Sequence, residues 1–223
     1  MAKIIQTEVF TYAELKVRGD QAAIGKAAEW LRECAVSYDW WDSVYEIWQS
    51  ALEQIGFTEP KINFSGFWSQ GDGASFTARI DVEKLATFLA APPAASKTIA
   101  EQPVDFRPWI VFKCNGVPVY SQYRRLVKLA NYIGAEVRRT SHRYSHNRTC
   151  DTYVDLSGSA SKPRVEKLLL AFREDVEALR LMLCDAIYSD LEEEYNYLTG
   201  EESTSDLAEV NEYTFTAQGN RFG

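Results

Sequence analysis

The stretch from Lys61 to Ile80, KINFSGFWSQGDGASFTARI, carries the clearest fold signal in the chain. Apolar and polar residues alternate on both sides of the Gly71–Gly73 turn, and a period of two is typical of β-strands. Glycine-rich turns commonly join such strands. The pattern predicts a β-hairpin with an apolar face, to which we assign Trp68, and a largely polar opposite face.

Further short elements are predicted downstream. Asn115-Gly116 indicates the turn of a second hairpin. A basic helix is expected to turn Leu126, Leu129 and Ile133 inward and to end at Gly134. The ranges 135–144 and 149–156 then have the composition of two strands around a polar turn.

The last long element is predicted to be a helix from Ser161 to Leu198, with Pro163 in its first turn. Apolar residues keep helical spacing for about ten turns, and at roughly 1.5 Å per residue the helix is near 50 Å long. It is therefore longer than the small sheet beside it. We expect part of its apolar stripe to contact a second copy of the chain, which gives a homodimer.

Upstream of the hairpin the sequence predicts a strand at Ile4–Phe10 and three helices. Thr11, with Glu14 three residues later, has the form of a capping box, and Asp20 is expected to begin the second helix. The third helix carries apolar residues at helical spacing and ends before Gly56. Its apolar residues are Trp41, Val44, Tyr45, Trp48, Leu52 and Ile55.

These elements predict an α+β fold, in which a small antiparallel sheet built from hairpins packs against several helices, one of them the long C-terminal helix. With 46% hydrophobic residues among 223, the chain is long enough for a real core, and disorder is excluded. We expect a single domain at 1–223, an inserted linker near 90–105 and an acidic tail at 199–223 with a final strand at Tyr213–Thr216.

The net charge of −8 is unevenly distributed along the chain. Ten acidic residues and no Lys or Arg occur between Leu181 and Asn220, and the rest of the chain has 22 acidic and 24 basic residues. Between Arg124 and Arg148, seven basic residues accompany the single acid Glu136. The charge excludes a uniformly basic binder of duplex nucleic acid and predicts a dipolar molecule.

Compartment and cofactor are inferred from what the sequence lacks. No apolar run near the N-terminus has the length of a secretory signal, and no stretch is long enough to span a membrane. Four widely spaced cysteines favour reduced thiols over a disulfide or zinc framework. We therefore expect a protein of the cytoplasm, without membrane contact and without a cofactor.

The first candidate site is the hairpin turn from Phe67 to Ser75. Gly71 and Gly73 permit left-handed backbone, in which consecutive N–H groups can bind an anion. Asp72 and Trp68 would add a carboxylate and a flat apolar wall. The alternative is a plain hairpin turn with Trp68 in the core, and the absence of a following Gly-Lys-Ser/Thr excludes a phosphate-binding P-loop.

The second candidate is the segment from Ser141 to Thr149, which holds both histidines of the chain. His142 and His146 could bind a metal, or one could act as a general base with Asp72 as its partner if the two turns adjoin. A solvated polar turn is the favoured interpretation.

The third candidate is the stretch 120–148, where arginines alternate with tyrosines. Positive charge suits phosphates and flat rings suit bases, as single-stranded nucleic acid or a nucleotide requires. Alternatively, these arginines pair with the acidic C-terminal block. The predicted binding residues of the three candidates are Ser65, Trp68, Ser69, Gln70, Asp72, Ser75, Arg138, Arg139, His142, Arg143, Tyr144, His146 and Arg148; none is predicted to be catalytic or to bind metal.

Several runs of the chain resemble a family of phage and prophage proteins, some of which are labelled antitoxins of toxin–antitoxin systems. The runs are Tyr38–Tyr45, Ile62–Phe76, His142–His146, Glu194–Glu201 and Asn211–Phe215. The resemblance weakens between about Asp81 and Asn115. It implies an accessory protein that acts inside a bacterial host, and the match at Trp68–Gly73 implies that this loop is a functional surface.

The leading functional hypothesis is therefore a non-enzymatic phage accessory protein that binds and neutralises a host protein or a nucleotide signal. One alternative is a protein that binds single-stranded nucleic acid or a nucleotide through 120–148. A second alternative is a small metal-assisted hydrolase or nuclease that uses Asp72, His142 and His146.

Overall fold

The structure is a computed structural model that describes residues 6–90, 120–141, 143–156 and 163–223. In chain order its helices are α1 (Tyr12–Arg18), α2 (Gln21–Ala35), α3 (Asp42–Ile55), α4 (Val82–Leu89), α5 (Tyr120–Val127), α6 (Pro163–Leu198) and α7 (Glu201–Val210). Its strands are β1 (Val9–Thr11), β2 (Phe57–Phe64), β3 (Ala74–Ile80), β4 (Ile133–Arg139), β5 (Cys150–Leu156), β6 (Thr214–Thr216) and β7 (Arg221–Phe222).

The predicted α+β class is confirmed, with two antiparallel sheets of order β1-β6-β7 and β2-β3-β4-β5. Contacts divide the chain into a terminal unit, Met1–Asp42 with Leu191–Gly223, and a central unit, Ser43–Asp190. The prediction of one domain stays a prediction. The predicted linker lies, from residue 91 onward, outside the described residues, as does the hairpin at Asn115-Gly116.

Local sequence signals account for the terminal unit. The side chains of Thr11 and Glu14 form both hydrogen bonds of the predicted capping box, and the Asp20 carboxylate accepts from two backbone N–H groups at the start of α2. Of the strand predicted at Ile4–Phe10, residues 4 and 5 lie outside the described residues, and from residue 6 onward the first strand is β1 at Val9–Thr11. The 199–223 segment folds into α7, β6 and β7, and the predicted final strand is present at Thr214–Thr216.

The central unit contains the predicted hairpin as β2 and β3, with Ile62 opposite Phe76. The basic helix was predicted wrongly at its end: α5 stops at Val127, and Ile133 and Gly134 belong to β4. Ile133 pairs with Leu156 and Gly134 with Asp155, so the sheet supplies the backbone partners that a longer helix would have supplied. Gly134 is not left-handed and ends no helix.

Helix α6 has the predicted length and packs its apolar side into the central unit. The side chains of Phe172, Val176, Leu179, Leu183 and Ile187 are each at most 1% exposed. The middle of the stripe is thus buried within one chain, and a homodimer through this helix stays a prediction. Within the described ranges no helix has the length and apolar character that a membrane span requires.

A buried ion pair joins α6 to the sheet. Arg180 is 1% exposed, and its guanidinium forms an ion pair with Glu177 and donates to the Asn147 carbonyl over 2.5 Å. Glu177 Oε2 also accepts from the hydroxyl of Thr152 over 2.7 Å and from its backbone N–H over 3.2 Å. Burial alone would raise the pKa of the Glu177 carboxyl, but the hydrogen bonds from Arg180 and Thr152 outweigh burial and lower this pKa.

The same helix caps the outer edge of β5. The Glu177 carboxylate accepts a hydrogen bond from the Thr152 N–H, and Arg173 Nε donates to the Thr152 carbonyl over 3.1 Å. Because both backbone groups of Thr152 have side-chain partners on α6, another strand cannot pair with β5 at this residue. On the same helix, burial raises the pKa of the Cys184 thiol to about 12, so the thiol is protonated at neutral pH.

We expect Arg180→Met to lower the free energy of unfolding by about 3–5 kcal/mol, because the substitution leaves the Glu177 carboxylate partly buried without its cation. Urea unfolding of the purified chain measures this change. Arg164→Met, at an exposed position in the first turn of α6, should change the same quantity by no more than about 0.5 kcal/mol. Equal effects of the two substitutions would contradict the role of Arg180.

We further expect the stabilisation by Glu177 to depend on pH. A carboxyl whose folded pKa is lowered contributes stability above its unfolded pKa of roughly 4.3, and loses that contribution as the pH falls through the lower folded value. The difference in unfolding free energy between the native chain and Glu177→Gln should therefore be largest near pH 7 and shrink below about pH 4. A difference that stays constant between these pH values would contradict this assignment.

A candidate binding surface formed by two turns

The first turn connects β2 to β3 and is closed by Asp72. The Asp72 Oδ2 atom accepts from the Ser69 N–H over 2.7 Å, and the Asp72 N–H donates to the Ser69 carbonyl over 3.0 Å. At the base of the turn the Ser65 N–H donates to the Gly73 carbonyl over 3.2 Å. The predicted anion site is thus occupied in part by the chain's own carboxylate, and the Ser69 N–H is not available to a ligand.

The alternation predicted through this turn is wrong at Trp68, which points outward instead of into the core. Phe67 is 7% exposed and its ring lies 4.8 Å from that of Phe64 and 5.5 Å from that of Tyr188. Trp68 is 76% exposed. The reason is Gly66, whose φ of 115° turns the backbone after β2 and interrupts the period of two.

The second turn connects β4 to β5 and is organised by Arg139. Its guanidinium donates to the carbonyls of Ser141 and Tyr144 over 2.7 and 3.1 Å, to the Ser145 hydroxyl over 2.9 Å and to Asn63 Oδ1 over 3.1 Å. A guanidinium with four protein acceptors holds the turn together and has little capacity left for a phosphate. Arg139 therefore supports the turn rather than facing a ligand.

Contacts to α6 hold the other end of the second turn. The His146 Nδ1 atom accepts from the Arg148 N–H over 3.1 Å, so the neutral ring carries its hydrogen on Nε2. The Asn147 amide donates to Asp185 Oδ1 over 2.6 Å, and the Asn147 carbonyl is the acceptor of Arg180. This turn is thus attached to a helix as well as to its own strands.

The sequence does not determine whether the two turns adjoin; in the structure they lie against each other. A Cβ atom built on Gly71 would lie 2.4 Å from the Tyr144 ring, and one built on Gly73 would lie 2.7 Å from the Cβ of His146. Only glycine permits so close an approach at these two positions. We call residues 65–75 and 139–149, apart from His142, the two-turn surface.

The predicted site residues differ in their exposure. Of the set, Ser65, Trp68, Ser69, Gln70, Arg138, Arg143, Tyr144 and Arg148 are exposed; Asp72, Arg139 and His146 are half-buried; Ser75 is buried; and His142 lies outside the described residues. Ser75 accepts a long hydrogen bond from Thr149 at 3.4 Å beneath the turns, where no ligand on the surface reaches it.

The hydrolase alternative stays a prediction, because His142, one of its three residues, lies outside the described residues. Asp72 and His146 each use a polar atom to hold their own turn, and no hydrogen bond joins the two side chains in the described part of the chain. Among the described residues, no group of three or more His, Cys, Asp and Glu side chains is arranged to hold a metal ion.

The basic residues near the second turn contact rings and acids of the central unit. The Arg143 guanidinium lies 5.2 Å from the Tyr144 ring centre, and that of Arg138 lies 5.2 Å from the ring of Tyr153. Arg138 also forms an ion pair with Glu136, and this hydrogen bond lowers the pKa of the Glu136 carboxyl. The acid paired with Arg138 is thus on the same strand and not in the C-terminal block.

Sequence reasoning missed the residues that position this surface, namely Glu177, Arg180 and Thr152. One signal was available: Arg180 lies four residues after Val176 and four before Cys184, on the apolar side of the predicted helix. A charge on a buried stripe indicates a paired partner across the core.

Comparison with known proteins gives a family without an assigned function. A family model described as "Domain of unknown function (DUF8835)" matches residues 40–201, which is more than half of the chain and includes the whole two-turn surface. No curated protein matches the chain, and no solved structure matches it.

We expect Gly73→Ala to separate the two turns. The added methyl group would lie 2.8 Å from the His146 Cα atom, and the Gly73 φ of 154° is strained for other residues, so the free energy of unfolding should fall by about 1–3 kcal/mol. Gly134→Ala, where a Cβ meets nothing within 4 Å, is the matched control. Chemical denaturation measures both, and a Gly73 variant as stable as the control would refute the close packing of the turns.

Proposed function

Because the chain belongs to the DUF8835 family, whose function is unknown, we propose its function from the two-turn surface: it is a non-enzymatic binding protein that recognises a protein partner through Trp68 and its neighbours. In the bacterial cell, this partner would be a host factor that a phage-related accessory protein neutralises. The phage and neutralising role is supported by the resemblance of the Ile62–Phe76 and His142–His146 runs.

The exposure of Trp68 is the observation that carries the proposal. A tryptophan costs free energy when it is left in water, and tryptophans are enriched among the residues that contribute most to protein interfaces. Trp68 is 76% exposed, whereas Phe67 beside it is buried. The chain thus buries one aromatic ring of the pair and presents the larger one to solvent.

The turn that carries Trp68 is held by contacts within the chain, which favours a recognition surface that is formed before the partner binds. Asp72 closes its turn, and Gly71 and Gly73 pack this turn against Tyr144 and His146. A surface that is ordered before binding pays less conformational entropy when the partner arrives. Ser69 and Gln70 on the same turn and Arg143 on the second turn are exposed polar residues, which are suited to the rim of an interface.

Binding of single-stranded nucleic acid is the second candidate, favoured by the Arg143–Tyr144 pair beside the first turn. It predicts an affinity that falls steeply with salt and depends on Arg143 and Arg148. Arg139 is unsuitable for this test because its substitution would remove the hydrogen bonds that hold the second turn.

We expect Trp68→Ala to weaken partner binding by about 100-fold or more, as for a hot-spot residue worth roughly 3 kcal/mol. The chain, its Trp68→Ala variant and a Tyr132→Ala control are used as baits in lysate of the bacterial host. Tyr132 is 60% exposed and lies in the same unit, outside the two-turn surface. A protein retained by the chain and the control, but lost with Trp68→Ala, is then purified and its affinity measured by calorimetry.

Neutralisation is measured with the purified partner: its activity should fall when the chain is added and stay unchanged with Trp68→Ala. Equal retention by all three baits would reject the role of Trp68. Retention of nucleic acid instead, lost at high salt and in Arg143→Ala/Arg148→Ala, would replace the proposal by the second candidate.

A further inference from the structure

The terminal unit contains a cavity of about 630 Å³ between α1, α7 and the start of β6. Its walls include Tyr12, Lys16, Ser205, Glu209, Glu212 and Tyr213. This volume is in the range of small-molecule sites, and aromatic walls with a few polar groups are typical of such sites. The lining residues all lie outside the range 40–201 that the family model matches.

Tyr12 is a buried residue of this wall whose hydroxyl has no partner among the described residues. Tyr12 is 5% exposed, and its ring packs near Phe215 at 6.2 Å and beneath the Lys16 ammonium at 4.7 Å. In the described part of the chain, its hydroxyl forms no hydrogen bond. A buried hydroxyl without a partner costs free energy, which a hydrogen-bonding ligand in the cavity would recover.

Two exposed carboxylates at the end of α7 also have no partner among the described residues. Glu209 lies in the last turn of α7 and Glu212 just beyond it, and neither side chain forms a hydrogen bond or ion pair within the described ranges. The C-terminus of a helix favours cations, yet the last turn of α7 carries no basic residue. In addition, Glu212 adopts a φ of 53°, which is uncommon outside glycine and asparagine.

The cation already present at this cavity is used elsewhere. The Lys16 ammonium donates to Glu201 over 3.0 Å and to Ser205 over 2.9 Å, so it neutralises Glu201 and leaves Glu209 and Glu212 uncompensated. Within the described part of the chain, the lining thus has one paired cation, two exposed carboxylates without an ion pair and one hydroxyl without a hydrogen bond. Its electrostatic complement is a positively charged group that donates hydrogen bonds.

We infer that this cavity binds an organic cation, an ammonium or guanidinium group on an alkyl chain, with Glu209 and Glu212 as its counter-charges and the Tyr12 hydroxyl as an acceptor. A free alkyl amine and the lysine side chain of a peptide share this chemistry. The site is separate from the two-turn surface and does not depend on the function proposed for it.

Calorimetry on the full chain tests this site with three compounds: cadaverine, its diol analogue, and N-acetyl-lysine amide in place of a peptide side chain. Cadaverine or the lysine derivative should bind once per chain, and the neutral diol should not. Glu209→Gln/Glu212→Gln should weaken binding at least about tenfold. Tyr12→Phe, which keeps the ring, should weaken it severalfold without unfolding the unit.

The matched control is Glu202→Gln/Asp206→Asn, which removes the same charge from exposed positions of the same helix. Its affinity should stay within about twofold of that of the native chain. Equal losses in the two double variants would show diffuse attraction to an acidic helix and overturn the site. Binding of the diol as tight as that of cadaverine, or no binding of either cation, would also overturn the site. Tighter binding of cadaverine would indicate a free alkyl amine as the ligand, and tighter binding of N-acetyl-lysine amide a lysine side chain of a peptide.

Discussion

The central unit depends on the ion pair and the hydrogen bonds that the buried Arg180 guanidinium forms. A buried charge is costly unless its donors and the acceptor oxygens of its partner are satisfied, and Arg180 meets this condition through Glu177 and the Asn147 carbonyl. Because Glu177 in turn binds Thr152, this single charge connects α6 to β5 and to the turn that precedes it. Apolar packing alone would permit small shifts of α6, whereas these directional bonds favour one position.

The two-turn surface follows from that constraint. Arg180 and Asp185 hold Asn147, so the backbone from His146 onward is placed by α6 as well as by the strands. Gly73 then packs directly against His146. Since Gly71 and Gly73 have no side chain to hold the turns apart, the conformation of the first turn depends on that of the second. The turn that carries the exposed Trp68 thus packs against a second turn, which the Arg180 side chain holds to α6.

Local signals were predictable from the sequence, and long-range ones were not. Thr11, Asp20 and the Gly71–Gly73 turn act on their immediate neighbours, so their spacing was sufficient. The orientation of Trp68 depends on a left-handed Gly66, which no alternation reveals, and the end of α5 depends on the pairing of Ile133 with Leu156. Arg139 has the composition of a phosphate ligand, and only the arrangement of its four acceptors assigns it to the turn.

The acidic C-terminal block, a single feature in the sequence, serves several roles once it is folded. Asp185 binds Asn147 and Asp190 accepts from the Trp48 indole over 2.8 Å, both within the central unit. Glu201 pairs with Lys16 in the terminal unit. Asp185 and Asp190 accept from neutral donors and keep their negative charge, whereas the charge of Glu201 is balanced by the Lys16 ammonium. Other acids of the block, such as Glu202 and Asp206, stay exposed on α7, so the block is divided by the fold into carboxylates with partners and carboxylates that face solvent.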